Sequence, residues 1–505
     1  FDSVKQEINK HIDFLDLAKY VNSPNIQLFK SKSTMKNIPP QFCDELNNIS
    51  SYWDNNVGIF REQDRILTNI YEDLSGAVRV YIKIKPLIGK EQKHNTVYIE
   101  KNSKKVVIDC SEVANVNKKQ TFGEFYGIYN DNFTNKDVYT GIAGSGDIYD
   151  LNVDVDSIEE SNETVSPGLY STFKQVEDGY SIVLFGYGLS GSGKTYSLIG
   201  DKGIPGLLHY GLANLKNVSK IRVKYLFEQY IDKFVPTINK IRGRIINLVN
   251  EVPQMRKYAN DEQKEFGQFI SGQVNLNDIR VENINTLTTL LESYRKSHFR
   301  IKKTPNNPVS SRSHLYMVFE IQFDTGKVGY ITVVDTAGRE SPVDIFNMFI
   351  DTSQRITLTT LLGPTGGAGL VKRYLNSAYQ AYDSSDIYEI LNEGFYINET
   401  INHLIYFFNK KNYKSTSIKK INNIDKYENE KYYVDPRTEE ENIDPINNCL
   451  MIPILKFLDA LSNRNQDDVD YKPTKFITLV CVRKDEEYCS QIFGTLDFAE
   501  KIKSS

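Results

Sequence analysis

Residues 188–195 read Gly-Leu-Ser-Gly-Ser-Gly-Lys-Thr. That order suits a polyphosphate. The glycines let backbone N–H groups turn inward around phosphate oxygens, Lys194 reaches the β- and γ-phosphates, and Thr195 offers its hydroxyl to Mg²⁺. A helix starting at Thr195 would add the favourable end of its dipole.

Two later segments carry related chemistry. Asn307-x-x-Ser310-Ser311-Arg312-Ser313-His314 is polar yet runs into an apolar alternating stretch, Leu315 to Phe323. Its small hydroxyls suit Mg²⁺ and a terminal phosphate, and Arg312 suits a bidentate carboxylate. His314 by itself reads as a structural histidine. The other segment is Asp335-Thr336-Ala337-Gly338-Arg339-Glu340. Asp335 can reach Mg²⁺ through water, and Gly338 can present an unhindered N–H to a terminal phosphate. Glu340 is the candidate partner of Arg312. If that pair forms and is buried, breaking it should cost about 3–5 kcal/mol. Three phosphate-reading segments in this order predict a nucleotide-dependent switch.

These segments need a scaffold that brings them together. Residues 180–186 form an apolar strand running straight into the phosphate loop, and 328–334 form another that feeds Asp335. Strand-then-loop at both sites predicts an α/β fold with a mostly parallel sheet and ligands at its carboxyl edge. Val78 to Lys85 alternates apolar and charged residues like a strand and stops at Pro86. Residues 1–75 read as mainly helical. Ile59, Ile66, Ile70 and Leu74 make an amphipathic stripe that ends at Ser75-Gly76. It fits either a helix packed on the main domain or the end of a longer dimerising helix. Residues 142–167 are acidic and turn-rich, without the spacing of a calcium loop, and read as a solvated surface loop. Two stretches look inserted. One is 341–385, with the flexible run Gly363 to Gly369; the other is 409–445, rich in Lys, Asn, Glu and Tyr.

Composition removes several function classes. Across 505 residues, Lys+Arg 61 against Asp+Glu 65 gives a net charge of -4. Such a balance predicts neither a nucleic-acid binder nor a membrane-surface binder, and no apolar run is long enough to span a bilayer. The five cysteines (Cys43, Cys110, Cys449, Cys481 and Cys489) are scattered without a Cys-x-x-Cys pair. This predicts reduced thiols in a cytosolic compartment, with neither a disulfide framework nor a zinc site. The first residue is Phe1 rather than Met, which predicts a fragment or a processed form.

The motifs resemble those of the kinesin motor domain, with a likeness running from Val78 to Lys503. Its phosphate loop is Gly-Gln-Thr-Gly-Ser-Gly-Lys-Thr, from which only Leu189 and Ser190 depart. Its first switch, Asn-x-x-Ser-Ser-Arg-Ser-His, is matched in full from Asn307 to His314. Its second, Asp-Leu-Ala-Gly-Ser-Glu, is matched at Asp335, Ala337, Gly338 and Glu340. Lys83-Ile84-Lys85-Pro86 stands where the family carries Arg-x-Arg-Pro against adenine. Glu228-x-Tyr230-x-Asp232 is similar to a family strand, Asn398 to Leu404 to the tubulin-facing helix, and Thr495-Leu496-x-Phe498-Ala499 to the closing helix.

The resemblance implies an α/β fold of the P-loop NTPase type, a central mostly parallel sheet with helices on both faces. It implies an N-terminal helical extension or neck over 1–75 and a motor domain over 76–505. The implied activity is ATP hydrolysis coupled to microtubule binding and movement, with ATP and Mg²⁺ as cofactors. Lys83, Lys85, Pro86, Gly188, Ser190, Gly191, Ser192, Gly193, Lys194, Thr195, Tyr196 and Asn307 would hold the nucleotide. Thr195, Ser311 and Asp335, the last through water, would face the metal. Ser310 and Gly338 would read the γ-phosphate, while Arg312 and Glu340 close around it. The implied partners are tubulin and, through the helix before the motor, a homo- or heterodimer in the cytoplasmic cytoskeleton. Leu74-x-Gly76-x-Val78-Arg79-Val80 and the end at Ser505 are similar to kinesins with a C-terminal, minus-end-directed motor.

Departures open a second reading. Arg339 replaces Ser, Thr336 replaces Leu, and lysines at 83 and 85 supply point charges where Arg would stack and fork. The tubulin-facing Pro-Tyr-Arg-x-Ser-Lys-Leu-Thr motif is replaced by the stretch Pro445–Leu461. Lys410, Lys411, Lys414, Lys419, Lys420 and Lys426 could substitute for it or form a solvated loop. The alternative is therefore a non-motile nucleotide-binding microtubule or scaffold protein. A signalling GTPase is disfavoured, because neither Asn135-Lys136-Asp137 nor Asn409-Lys410-Lys411-Asn412 fits its guanine motif. His314 argues against a myosin.

Overall fold

The computed structural model describes residues 78–503 except 88–95, 101–102, 114–117, 154–166, 202, 236–239, 248–273, 276–280, 299, 305–306, 351–385, 388, 392, 395, 399 and 402–473. The expected N-terminal helix, the run Gly363 to Gly369, the 409–445 lysines and the stretch Pro445–Leu461 lie outside these residues.

The expected strand before the phosphate loop is β6 (Ser181–Gly188), and the strand feeding Asp335 is β13 (Val328–Asp335). They run side by side and parallel, with Asp335 opposite Gly186. On the other edge of β6 lies β14 (Thr474–Val482), then β1 (Arg79–Ile84) and β5 (Gly127–Tyr129), all parallel. Beyond β13 the sheet turns antiparallel through β12 (Ser313–Phe323), β7 (Val218–Val235) and β8 (Lys240–Asn247). A short β9 (Val274–Asn275) also pairs with β7, making nine strands. Parallel pairing thus fills the part of the sheet that ends in the phosphate loop and Asp335.

Both faces of this sheet are covered. Val183 and Phe185 of β6 point into one apolar cluster, with Leu496, Phe498 and Ile502 of the closing helix Cys489–Lys503. Ile182 and Leu184 point into the other, with Leu208 of the helix Leu207–Ala213 and Leu291 of the helix Val281–Ser297. Burial on both faces explains why β6 reads as a continuous apolar run. It also changes the meaning of the β1 alternation. All of Arg79–Ile84 is buried, so its cations are paired inside the protein rather than solvated. Arg79 Nη1 donates to Thr172 Oγ1. Lys83 Nζ donates to Asn135 Oδ1 (2.6 Å) and Ser197 Oγ (3.0 Å).

Three departures from expectation concern the periphery. A separate antiparallel sheet, β2 (Val97–Ile99), β3 (Lys105–Cys110) and β4 (Lys118–Gly123), packs its apolar side on the closing-helix cluster. Nothing in the sequence reading marked it. The stretch taken as an insertion from 341 begins with a helix, Pro342–Phe349, in which Ile345, Phe346 and Phe349 are fully buried. Its start therefore belongs to the core. The cysteines are not all reduced: Cys110 and Cys489 form a disulfide, Cα–Cα 6.3 Å, while Cys481 is a buried thiol. The two partners lie 379 residues apart in sequence, so spacing rules could not join them. They meet because β3 and the closing helix share one apolar cluster. Residues 142–153 are turns with Asp147 and Asp150 exposed, as a solvated acidic loop should be. Among the described residues no helix is long and apolar enough to cross a membrane.

Candidate functional site: a phosphate loop facing two switch segments

The phosphate loop leaves β6 at Gly188 and ends in the helix Lys194–Leu198. Gly188 must be glycine on two counts. Its φ is 145°, and a Cβ there would stand 2.2 Å from the Cys481 carbonyl oxygen. β14 therefore presses directly on the base of the loop. Lys194 folds back over it, donating to the carbonyls of Gly188 (3.0 Å) and Leu189 (2.9 Å). Burial pushes the Lys194 ammonium below its ordinary range, against the raising influence of Asp335, Cys481 and Glu340.

At the end of β13, Asp335 Oδ2 accepts from Thr195 Oγ1 at 2.7 Å. Burial pushes its carboxyl up, against Arg295, Thr195 and Lys194. Asp335 Oδ1 is buried without a hydrogen-bond partner, and so is Ser192 Oγ on the loop. Among the described residues no group of three or more His, Cys, Asp or Glu could hold a metal. The oxygen set is instead one carboxylate and nearby hydroxyls. Mg²⁺ takes such hard oxygens, usually one or two carboxylates besides phosphates and water, so the residues present fit it.

The second switch segment lies against the loop. A Cβ on Gly338 would come within 2.3 Å of the Ser190 nitrogen, so only glycine allows this approach. Arg339 N donates to Gly188 O at 3.2 Å. The Arg339 side chain, where the family has Ser, reaches the Tyr187 hydroxyl (3.3 Å), and the Tyr187 ring stacks on Phe498 of the closing helix.

The first switch segment arrives on a hairpin, β10 (Ile301–Thr304) with β11 (Asn307–Ser311). Ser310 Oγ meets Ser190 Oγ at 2.9 Å, and Asn307 Nδ2 donates to the same Ser190 hydroxyl at 3.2 Å. Ser311 is half-buried at the hairpin end, opposite Ile301. Arg312 is 1% exposed and donates through Nη1 to Glu340 Oε2 at 2.6 Å. Ser310 Oγ donates to the other Glu340 oxygen at 3.3 Å.

Sequence reasoning missed the rest of this network. Arg312 Nε also pairs with Glu393 Oε2 at 3.1 Å, and Nη2 donates to Ile390 O at 2.9 Å. Glu393 sits in a helical run within 386–401 and takes a second cation, Lys302, at 2.8 Å. A signal existed: Ile390, Glu393 and Ile397 share one face at helical spacing, which puts an acid on a buried stripe. Asn398 Nδ2 donates to Glu340 O at 2.6 Å. Behind the hairpin, Glu228 of β7 accepts from Arg295 (3.0 Å) and from the Ser313 hydroxyl.

The two lysines expected against adenine lie beside the phosphate loop and its helix. Lys83 lies beneath the helix Lys194–Leu198 through Ser197, and burial lowers its ammonium to about 8. Lys85 Nζ donates to Gly191 O at 2.7 Å, on the outside of the phosphate loop. Pro86 is exposed and Tyr196 half-buried.

His314 is structural here. The Ala337 N–H donates to its Nδ1 at 3.1 Å, so Nε2 carries the proton toward Thr400 Oγ1 at 2.7 Å. Burial, then Arg295 and Lys194, lower it to about 3, and burial lowers His209 to about 4. Each unfolded histidine takes a proton below about pH 6.5, whereas the folded ones stay neutral. Stability is therefore present above about pH 6.5 and falls with acid, by about 1.4 kcal/mol per pH unit for each histidine. The expected result is a loss of roughly 3 kcal/mol between about pH 6 and about pH 5, with His209→Gln halving the slope. Urea titrations check it, and a flat profile across that interval would reject it.

Comparison with known proteins follows the same residues. A model of the kinesin motor domain family matches residues 149–344, which contain the phosphate loop and both switch segments. The chain is 27% identical over 292 residues to Kinesin-like protein KIN-14I of Oryza sativa subsp. japonica, covering 55% of this chain and 20% of that protein. It is 23% identical over 305 residues to Carboxy-terminal kinesin 2 of Xenopus laevis, covering 57% of this chain and 43% of that protein. The motor domain of the Kar3-like kinesin from Ashbya gossypii aligns at 17% identity and TM-score 0.44, over 85% of this chain and 99% of that one. The family match thus lies on the residues that converge around Lys194, and over residues 149–344 the chain is similar to a kinesin motor domain.

Proposed function

We propose that this domain hydrolyses ATP with Mg²⁺ and couples nucleotide state to microtubule binding and movement. The observation that carries the proposal is the convergence of Lys194, Thr195–Asp335 and Ser190–Ser310–Arg312–Glu340 on one loop. Phosphoryl transfer needs positioning and charge stabilisation more than a strong base, and Mg²⁺ supplies charge neutralisation on the phosphate oxygens. Lys194 and the loop amides would hold the β- and γ-phosphates. Thr195, Ser311 and Asp335 would face the metal, the last through water. Ser310 and Gly338 would read the terminal phosphate. Arg312 and Glu340 would order the attacking water. Release of phosphate would free both switch segments, and the helical run at 386–401, tied to them by Glu393 and Asn398, would carry the change outward.

The track partner in this reading is tubulin, placing the protein on the cytoskeleton. The likeness to Carboxy-terminal kinesin 2 supports a C-terminal motor; in this reading the helix expected before it would dimerise and movement would be toward the minus end. Steady-state ATPase with and without microtubules tests the proposal. Stimulation by microtubules is expected; bound nucleotide with a flat response would assign a non-motile scaffold instead.

A further inference from the structure

We infer that Arg483 is a positioning residue that holds the phosphate loop in its binding conformation, an assignment that rests on the nucleotide reading above. Arg483 follows β14 directly, outside the residues matched by the family model. Its Nη1 donates to the Ser190 carbonyl at 3.4 Å. Two contacts aim it there: Nε pairs with Asp485 Oδ2 at 2.7 Å, and the guanidinium lies 3.9 Å from the centre of the Tyr488 ring. Lys85 donates to the next carbonyl, that of Gly191. A Cβ on Gly191 would stand 3.3 Å from Arg483 Nη1 and 3.5 Å from Asn307 Cγ, so the turn is held between the two side chains.

The peptide plane turns this into a function. C=O and N–H point in opposite directions across a trans peptide. A cation fixed on the Ser190 carbonyl therefore directs the Gly191 N–H the other way. The loop needs such pinning, because Gly191 and Gly193 have φ of 73° and 95° and glycine is the residue with most freedom to lose. Pinning the loop beforehand lowers the ordering cost of binding. The price is two cations close together: burial first, then Arg483, hold Lys85 below its ordinary range. A polyphosphate would offset that repulsion.

The test is the dissociation constant of N-methylanthraniloyl-ADP with Mg²⁺, read by fluorescence, alongside steady-state ATPase. Arg483→Ala is expected to weaken binding about tenfold, the effect of one charge-assisted hydrogen bond. ATP and ADP should lose affinity alike, since the clamp acts on the loop rather than on the terminal phosphate. KM should rise by the same factor while kcat moves less than about twofold, and Arg483→Lys should recover most of the affinity. Should Arg483→Ala fail to fold, Arg483→Met decides: it keeps an apolar stem of similar length but has no donor. Binding by folded Arg483→Ala or Arg483→Met within about twofold of wild type overturns the inference. Failure of the wild-type protein to bind the probe overturns the nucleotide reading itself.

Discussion

Arg312→Ala is expected to lower folding stability by about 3–5 kcal/mol, the cost of leaving buried charge without its partner. Arg312 is 1% exposed and spans two carboxylates, Glu340 at 2.6 Å and Glu393 at 3.1 Å, while its third nitrogen serves the Ile390 carbonyl. Among the described residues, truncation leaves Glu340 with the Ser310 hydroxyl and Glu393 with Lys302. Arg312→Lys should recover little, because one ammonium cannot reproduce a planar fork that faces two acids and a carbonyl. Combining Arg312→Met with Glu340→Gln should recover part of the loss, since neutral partners no longer carry a desolvated charge. Urea denaturation of the four proteins checks this. A loss below about 1 kcal/mol for Arg312→Ala would show the network to be solvated or dispensable.

The same network shows what the sequence could and could not disclose. The phosphate loop and its two feeding strands were legible because their constraints are local. Glycine is needed at Gly188 and Gly338 for backbone approach, and an apolar run marks a strand buried on both faces. The Arg312–Glu340 pair was legible because both ends lie in specific motifs. Glu393 was not, although it takes the same arginine, because no motif surrounds it and only helical spacing places it inside. The β1 cations were legible as part of a strand, but their pairing was not. Alternating charge reads as a strand, but it cannot reveal that Asn135 and Ser197 arrive from distant segments to take Lys83 indoors. The Cys110–Cys489 bond is the extreme case, since composition argued for thiols and only the packing of β3 on the closing helix brings the two sulfurs together.

Lys194→Ala and Glu340→Ala are expected to abolish turnover by different routes. Lys194 is the ammonium aimed at the loop interior, at 3.0 Å from the Gly188 carbonyl. Its loss removes the charge that would hold the phosphates, so both nucleotide affinity and turnover should fall, the latter by at least about a hundredfold. Glu340 pairs with Ser310 and Arg312. Glu340→Ala should therefore bind ATP with Mg²⁺ near wild-type affinity yet lose turnover by a similar factor, because the switch segments no longer close. The fold should survive this change better than Arg312→Ala. Removing Glu340 leaves Arg312 paired with Glu393, whereas removing Arg312 leaves Glu340, among the described residues, without a cation and Glu393 with Lys302. Single-turnover hydrolysis together with equilibrium ATP binding separates the routes. Normal turnover by either variant would contradict the assignment, and loss of ATP binding in a folded Glu340→Ala protein would move that carboxylate from closing the site to building it.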